Sequence, residues 1–341
     1  MQKTLEDYGA KVRVRVAADT ACIAKPLPEV RRAVREAEDR DFSELFLEVC
    51  ARLKKLAHAD GYEVTPTSGA THALQIALVK YVPVRGRTVI TTDREYNGIV
   101  KTLEEAGAKI EVVPYSAGLA GRFKAAMEKS HGAVVFISDL TRYGEAIPVK
   151  EICSHAKELG IPVIVDGAQG IGRLEVNLDE TKPDIYLASG HKALRAPEGT
   201  GALYVSKELL GRLGLRGISN GETHNKGLLA GLSEAIRLRE EQGEGAGQAP
   251  PALEAGLRGI PGVKVAGSSA GIVTFMVEGA AATAVHDALE QEGVACTADE
   301  ATGIVRVSVD AYSRPEEVAA ITEVVRETAD RLNRLMEMRL S

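Results

Sequence analysis

At 341 residues the chain is long for a single hydrophobic core, so one large domain with a smaller companion is expected, and 45% apolar with 26% charged residues is ordinary globular composition. A net charge of −6 leaves no basic footprint for nucleic acid and points to a small-molecule partner. The four cysteines, Cys22, Cys50, Cys153 and Cys296, lack the spacing of a zinc site or a disulfide framework and fit a reducing cytoplasm; no apolar run nears the roughly 18 residues of a membrane span.

In chain order, Lys11 to Val16 alternates polar and apolar residues, the pattern of a half-buried or edge strand. Val30, Val34, Phe42, Leu45, Phe46, Val49 and Leu53 then recur at helical spacing. Tyr62 to Pro66 leads into Thr67-Ser68-Gly69-Ala70-Thr71, a hydroxyl- and glycine-rich turn before the helix-forming run Ala73 to Leu78. Such a turn at a helix N-terminus offers unpaired N–H groups to an anion and is a candidate phosphate cradle. The same residues also suit a plain N-cap by Ser68 or Thr71.

Strands are expected over Arg87–Thr92, Ala108–Pro114, Ala133–Ser138, Ile161–Val165, Asp184–Ala188 and Gly201–Val205, with helical segments such as Gly121 to Ser130 and Val149 to Leu159 between them. Repeated βα units imply a mainly parallel sheet with helices on both faces. One of these apolar runs ends abruptly in Asp166-Gly167-Ala168-Gln169, and Lys192 follows 26 residues later in Ser189-Gly190-His191-Lys192. A strand-end carboxylate and a loop lysine meet naturally at the carboxyl edge of such a sheet, and the pair suits pyridoxal phosphate.

Beyond that loop, Ile218 to Asn225 is a polar connection of a type that serves ligands or partner chains, and Gly243 to Pro251 breaks structure by composition. The domain boundary is expected there. The remainder reads as a compact α+β unit, with strands at Val263–Val265, Gly271–Val277 and Gly303–Val309 and helices at Ala252–Leu257, Ala281–Gln291 and Pro315–Leu335.

Taken together, Val165-Asp166-Gly167-Ala168-Gln169, Ser189-Gly190-His191-Lys192, and Val305-Arg306-Val307-Ser308 followed by Tyr312 resemble the fold-type I pyridoxal-phosphate enzymes of the class V aminotransferase and cysteine desulfurase group. The resemblance runs from about Pro26 to the last helix. It implies an α/β fold: a large cofactor-binding domain over residues 1–242, with a mainly parallel seven-stranded sheet flanked by helices, and a small C-terminal α+β domain over residues 243–341.

It further implies that Lys192 is the Schiff-base lysine, Asp166 the partner of the pyridine nitrogen, Gln169 a hydrogen-bond partner of the phenolate oxygen, and Tyr96 the residue stacked on the ring. Ala70, Thr71, Ser189 and His191 would hold the phosphate, and Thr223 would reach the phosphate of a neighbouring subunit in a homodimer with shared active sites. Arg306 would pair with the substrate α-carboxylate through its planar fork. Arg142, in a Thr141-Arg142-Tyr143-Gly144 turn that departs from the family's shorter asparagine-containing one, would bind a second carboxylate or phosphate or stand as an exposed loop arginine.

A second departure bears on the reaction. Desulfurases of this group carry a cysteine on a loop before the Arg306-like strand, whereas Thr297 to Gly303 is short and has none, and Cys296 reads as a buried apolar residue. The expectation is therefore an aminotransferase acting on a small amino acid. The alternatives are a carbon–sulfur lyase or desulfurase-like enzyme and a catalytically silent cofactor-binding protein, the last opposed by intact Lys192, Asp166 and Arg306.

Overall fold

The computed structural model describes residues 18–218, 223–243 and 251–340, with side chains to 334. The expected strand at Lys11–Val16, residues Ser219 to Glu222 of the polar connection, and residues 244–250 of the glycine-rich run lie outside the described residues. The described residues group into two compact units, 23–243 and 18–22 with 251–340.

The larger unit contains, in order, α1 (Pro28–Arg35), α2 (Phe42–Leu56), β1 (Tyr62–Thr67), α3 (Ala70–Lys80), β2 (Thr88–Thr92), α4 (Asn97–Glu105), β3 (Lys109–Val113), α5 (Leu119–Lys129), β4 (Val134–Ser138) and α6 (Val149–Glu158). It continues with β5 (Val163–Asp166), α7 (Leu178–Thr181), β6 (Ile185–Ser189), β7 (Gly201–Ser206), α8 (Lys207–Arg212) and α9 (Lys226–Glu241). The strands form one seven-stranded sheet in the order β1-β7-β6-β5-β4-β2-β3. All neighbours from β6 to β3 run parallel, while β7 is antiparallel to both β6 and β1.

Both faces of the sheet are apolar, which is why its central strands read as continuous hydrophobic runs. Because side chains alternate along a strand, Val135 and Ile137 join one core with Leu45, Leu53, Phe123 and Leu232. Val134 and Phe136 join the other with Leu74, Ile99 and Leu209. The helices α2, α5 and α9 thus cover one face and α3, α4 and α8 the other. Complete burial of a side chain such as Phe136 contributes about 2–3 kcal/mol, so the central strands anchor the strand ends that follow them.

The smaller unit has α10 (Ala252–Arg258), β8 (Val263–Ser269), β9 (Ile272–Val277), α11 (Ala282–Gln291), β10 (Thr297–Asp299), β11 (Ile304–Ser308) and α12 (Pro315–Leu340). Its four strands are antiparallel in the order β10-β11-β9-β8, over a core that includes Leu253, Phe275, Leu289, Val305, Val307 and Ile321. Thr297 to Asp299, expected as a short loop, instead pair with β11, and Gly303 at φ +71° makes the turn between the two strands.

The unit boundaries also differ from a simple division at 242/243. Asp19 bridges Ser308 beside β11, and Ser308 N–H donates to the Ala18 carbonyl at 2.6 Å, so residues 18–22 group with the C-terminal residues rather than with the large sheet. Two backbone partners 289 residues apart outweigh sequence proximity here.

Candidate active site

The site is built where β5 and β6 end. Asp166, the last residue of β5, is 7% exposed, and its Oδ1 accepts from the Ala168 N–H at 2.9 Å. Burial pushes its pKa above the usual carboxylate range, while the charge of Lys192 draws it down. The loop lysine thus lies within Coulomb reach of the strand-end carboxylate. Lys192 is half-buried on the connection between β6 and β7. This connection is tied at both ends: Gly190 N–H donates to Thr200 O at 2.8 Å, Ala196 N–H to Gly190 O at 2.9 Å, and Arg195 N–H to Lys192 O at 2.9 Å. A side chain at Gly190 would collide with the Thr200 hydroxyl, so only glycine allows the loop to close this tightly.

Beside the lysine stands the start of α3. Its N-cap is Gly69, with no side-chain cap, so neither Ser68 nor Thr71 performs the capping that their sequence positions also allow. The Ala70 N–H donates instead to the Ser189 hydroxyl at 3.2 Å, joining the helix N-terminus to the end of β6. Thr71 and Ser68 are exposed. The His191 ring packs beside Gly69, and a Cβ at Gly201 would strike the Gly69 backbone at 2.6 Å. Burial first, then Lys192, lowers the His191 pKa and keeps the imidazole neutral, and its buried Nδ1 has no hydrogen-bond partner among the described residues. First-turn amides, a hydroxyl and an open ring nitrogen are the polar groups a phosphate takes up at a helix N-terminus, so the residues present fit the phosphate end of pyridoxal phosphate.

Two further carboxyl groups, after β2 and after β4, lie within Coulomb reach of Asp166, and sequence reasoning missed both. Glu95, 5% exposed after β2, accepts from Thr92 Oγ1 at 2.7 Å, from Ser138 Oγ at 2.5 Å and from Ser138 N–H at 3.3 Å. Asp139, 8% exposed after β4, accepts from Tyr186 Oη at 2.7 Å and from Leu140 N–H at 2.6 Å. Burial pushes each up to about 7, and the charge of Asp166 pushes the same way. The signal for both was available: an acidic residue just beyond an apolar strand, as at Asp166.

Of the remaining predicted residues, Gln169 is buried in the turn after Asp166. Tyr96 is 56% exposed as N-cap of α4, with its ring lying against Gly98. Thr223 is exposed and, with Thr67, Ser68 and Thr200, lines a cavity of about 350 Å³. Arg142 lays its guanidinium over the Tyr143 ring at 4.9 Å, and Arg94 shares that ring at 5.5 Å while pairing with Glu145 at 3.5 Å.

Arg306 lies in the smaller unit and already has an internal carboxylate: its Nη2 donates to Asp19 Oδ1 at 2.9 Å and to Thr297 Oγ1 at 3.0 Å, and the Thr297 hydroxyl donates to Asp19 Oδ2 at 2.9 Å. Asp19 was not foreseen. Cys296, 7% exposed, has its thiol pushed up to about 12, chiefly by burial. No group of metal-ligating side chains and no helix long and apolar enough to cross a membrane occurs among the described residues.

A cysteine desulfurase IscS from Pectobacterium carotovorum subsp. carotovorum is 28% identical over 209 residues, 56% of this chain and 51% of that protein, so the chain spans about half the length of this curated relative. Two solved structures share the fold. The apo structure of a cysteine desulfurase from Thermococcus onnurineus NA1 superposes with a TM-score of 0.80 at 19% identity, covering 97% of this chain and 99% of that one. The ureidoglycine–glyoxylate aminotransferase (pucG) of Bacillus subtilis superposes with a TM-score of 0.78 at 20% identity, covering 93% of each. Residues 29–321 match the family model for aminotransferase class-V, so the group that the cradle fits is pyridoxal phosphate and the chain belongs to the aminotransferase class-V family.

Proposed function

We propose that the chain is an aminotransferase acting on a small amino acid, with Lys192 as the residue that holds the cofactor and handles the substrate proton. The observation that carries this reading is the half-buried Lys192 within Coulomb reach of the buried Asp166, next to an uncapped helix N-terminus. Pyridoxal phosphate, when bound, supplies an electrophilic aldehyde carbon and a ring that withdraws electrons from the substrate Cα. The Lys192 amine carries the proton at that Cα as general base and acid. Asp166 holds a proton on the pyridine nitrogen, because a carboxylate beside that nitrogen favours its cationic form.

Gln169 is assigned the phenolate oxygen, Tyr96 the ring face, and Ala70, Thr71, Ser189 and His191 the phosphate. Arg306 is assigned the substrate α-carboxylate and Arg142 a second anionic group of the substrate. Thr223 serves the phosphate of a second copy in a homodimer, a role its exposure supports. Four free cysteines support a reducing, cytoplasmic setting.

A carbon–sulfur lyase or desulfurase-like reaction is the second reading, supported by relatives named as cysteine desulfurases. Residues 297–303 contain no cysteine and the buried Cys296 holds its proton, which supports transamination over transfer of sulfur to a loop thiol. The holoenzyme incubated with alanine and a keto acid should yield a new amino acid. Release of sulfide and pyruvate from cysteine, with no amino-group transfer, would overturn the first reading in favour of the second.

A further inference from the structure

The turn that carries Asp166 and Gln169 rests on a surface with no tolerance. A Cβ at Gly167 would fall inside the Tyr186 ring, and one at Gly170 would fall on the Asp139 carboxyl. The two floor groups are bonded to each other, Tyr186 Oη to Asp139 Oδ2 at 2.7 Å, and both are buried, at 2% and 8% exposure. Backbone bonds fix the same turn from either side: Asp139 N–H donates to Asp166 O at 3.2 Å and Gly167 N–H to Leu187 O at 2.8 Å. Two glycines where any side chain would collide mean that the height of the turn is set by what lies beneath it.

We propose that Asp139 and Tyr186 form a positioning pair: their hydrogen bond fixes the Gly167–Gly170 backbone, and through it the placement of Asp166 and Gln169 against the ring of pyridoxal phosphate. This rests on the roles assigned above to Asp166 and Gln169. The charges around the pair define its state. Asp139 faces Tyr186 from β6 and Asp166 from β5, and Asp166 alone of these has Lys192 as counter-charge. Burial and the Asp166 charge push Asp139 up to about 7, so negative charge is better accommodated on Asp166, beside Lys192. Asp139 accepts at Oδ1 from Leu140 N–H and at Oδ2 from Tyr186 Oη; an asparagine keeps both contacts, its carbonyl oxygen accepting from Leu140 and its NH2 donating to Tyr186 Oη, since a phenol oxygen can accept as well as donate.

The test uses the unsubstituted protein and the Asp139→Asn, Asp139→Ala and Tyr186→Phe variants, each freed of cofactor and titrated with pyridoxal 5′-phosphate while the absorption of bound cofactor is read. A second titration uses inorganic phosphate as competitor. Asp139→Asn should bind within about twofold of the unsubstituted protein, Tyr186→Phe about threefold and Asp139→Ala about tenfold more weakly, the last two with a displaced absorption band. The phosphate competition constant should stay the same in all four, because phosphate meets the first turn of α3 rather than this turn.

Unchanged binding and an unchanged band in Tyr186→Phe and Asp139→Ala would overturn the positioning role alone. So would a parallel weakening of phosphate, or an asparagine variant as weak as alanine. An unsubstituted protein that takes up no pyridoxal phosphate would overturn the functional reading and this role together. Tyr186→Phe removes a single oxygen, so it decides the matter even if Asp139→Ala does not fold.

Discussion

The strand ends of the larger unit and the Arg306 cluster of the smaller one face the same problem, charge taken out of water, and answer it in opposite ways. Around Asp166 three carboxyl groups converge with one lysine in reach, and two of them respond by holding protons up to about pH 7. Around Arg306 one carboxylate balances one guanidinium and a hydroxyl links them, through hydrogen bonds of 2.9 to 3.0 Å at Nη2, with the buried Nε left without a hydrogen-bond partner among the described residues. An unbalanced site keeps charge available for a ligand, and a balanced one keeps its geometry without one.

The largest effect that would break this contrast is at the lysine. Lys192→Ala should lower turnover by on the order of 10³-fold and remove borohydride-trapped cofactor from the chain, as read by mass spectrometry of the labelled peptide. Activity close to that of the unsubstituted enzyme would dissolve the distinction between the regions. Next in size, Asp19→Ala should destabilise the protein by about 3 kcal/mol in urea denaturation, because it strands a guanidinium whose side chain is only 11% exposed. A loss below about 1 kcal/mol would show the cluster to be as weak as a surface pair.

A comparable but pH-dependent effect is expected from the strand-end acids. Glu95 rises from an ordinary 4.5 to about 7 on folding, so the folded protein binds that proton more tightly than the unfolded chain. Its contribution is complete below about pH 4.5 and is lost as pH rises through about 7, a decline of about 3 kcal/mol. Asp139 contributes in the same direction, from 3.8 up to about 7. Apoprotein unfolding measured from pH 4.5 to 8 should show this decline, and Glu95→Gln should flatten it; a stability rising over that range would reverse the assignment.

The smallest effect is at the thiols. Burial pushes Cys50 up to about 11 and Cys153 and Cys296 up to about 12, whereas Cys22 is exposed. Native protein at pH 8 should therefore give one fast thiol with a disulfide reagent, lost in Cys22→Ser. Rapid modification of Cys296 would reopen the sulfur-transfer reading.

Much of this was legible in the sequence because the central strands are apolar on both faces and stop at polar residues: the runs before Asp166 and Ser189 announced both strands and the polar residues that end them. Glu95 escaped because Asp93 to Gly98 reads as a loop, and α4 escaped with it. Asn97 and Gly98 are poor helix formers, and the helix exists because Ile99 and Leu103 pack into the core. Ser68 and Thr71 promised a side-chain cap, but Ser189, 119 residues on, takes the Ala70 amide. Asp19 was invisible for the same reason on a larger scale, since its partner Arg306 lies 287 residues away. Local pattern reports the elements, and only tertiary pairing reports who answers their unpaired groups.

The grouping of residues 18–22 with 251–340 has an outcome during synthesis. The ribosome releases the seven-stranded sheet first, and it has every strand it requires before the last quarter of the chain exists. Residues 18–22, made before any strand of that sheet, must wait until β11 emerges to receive Ala18 and Asp19. A nascent chain halted before Ile304 would hold a finished sheet and residues 18–22 still without β11.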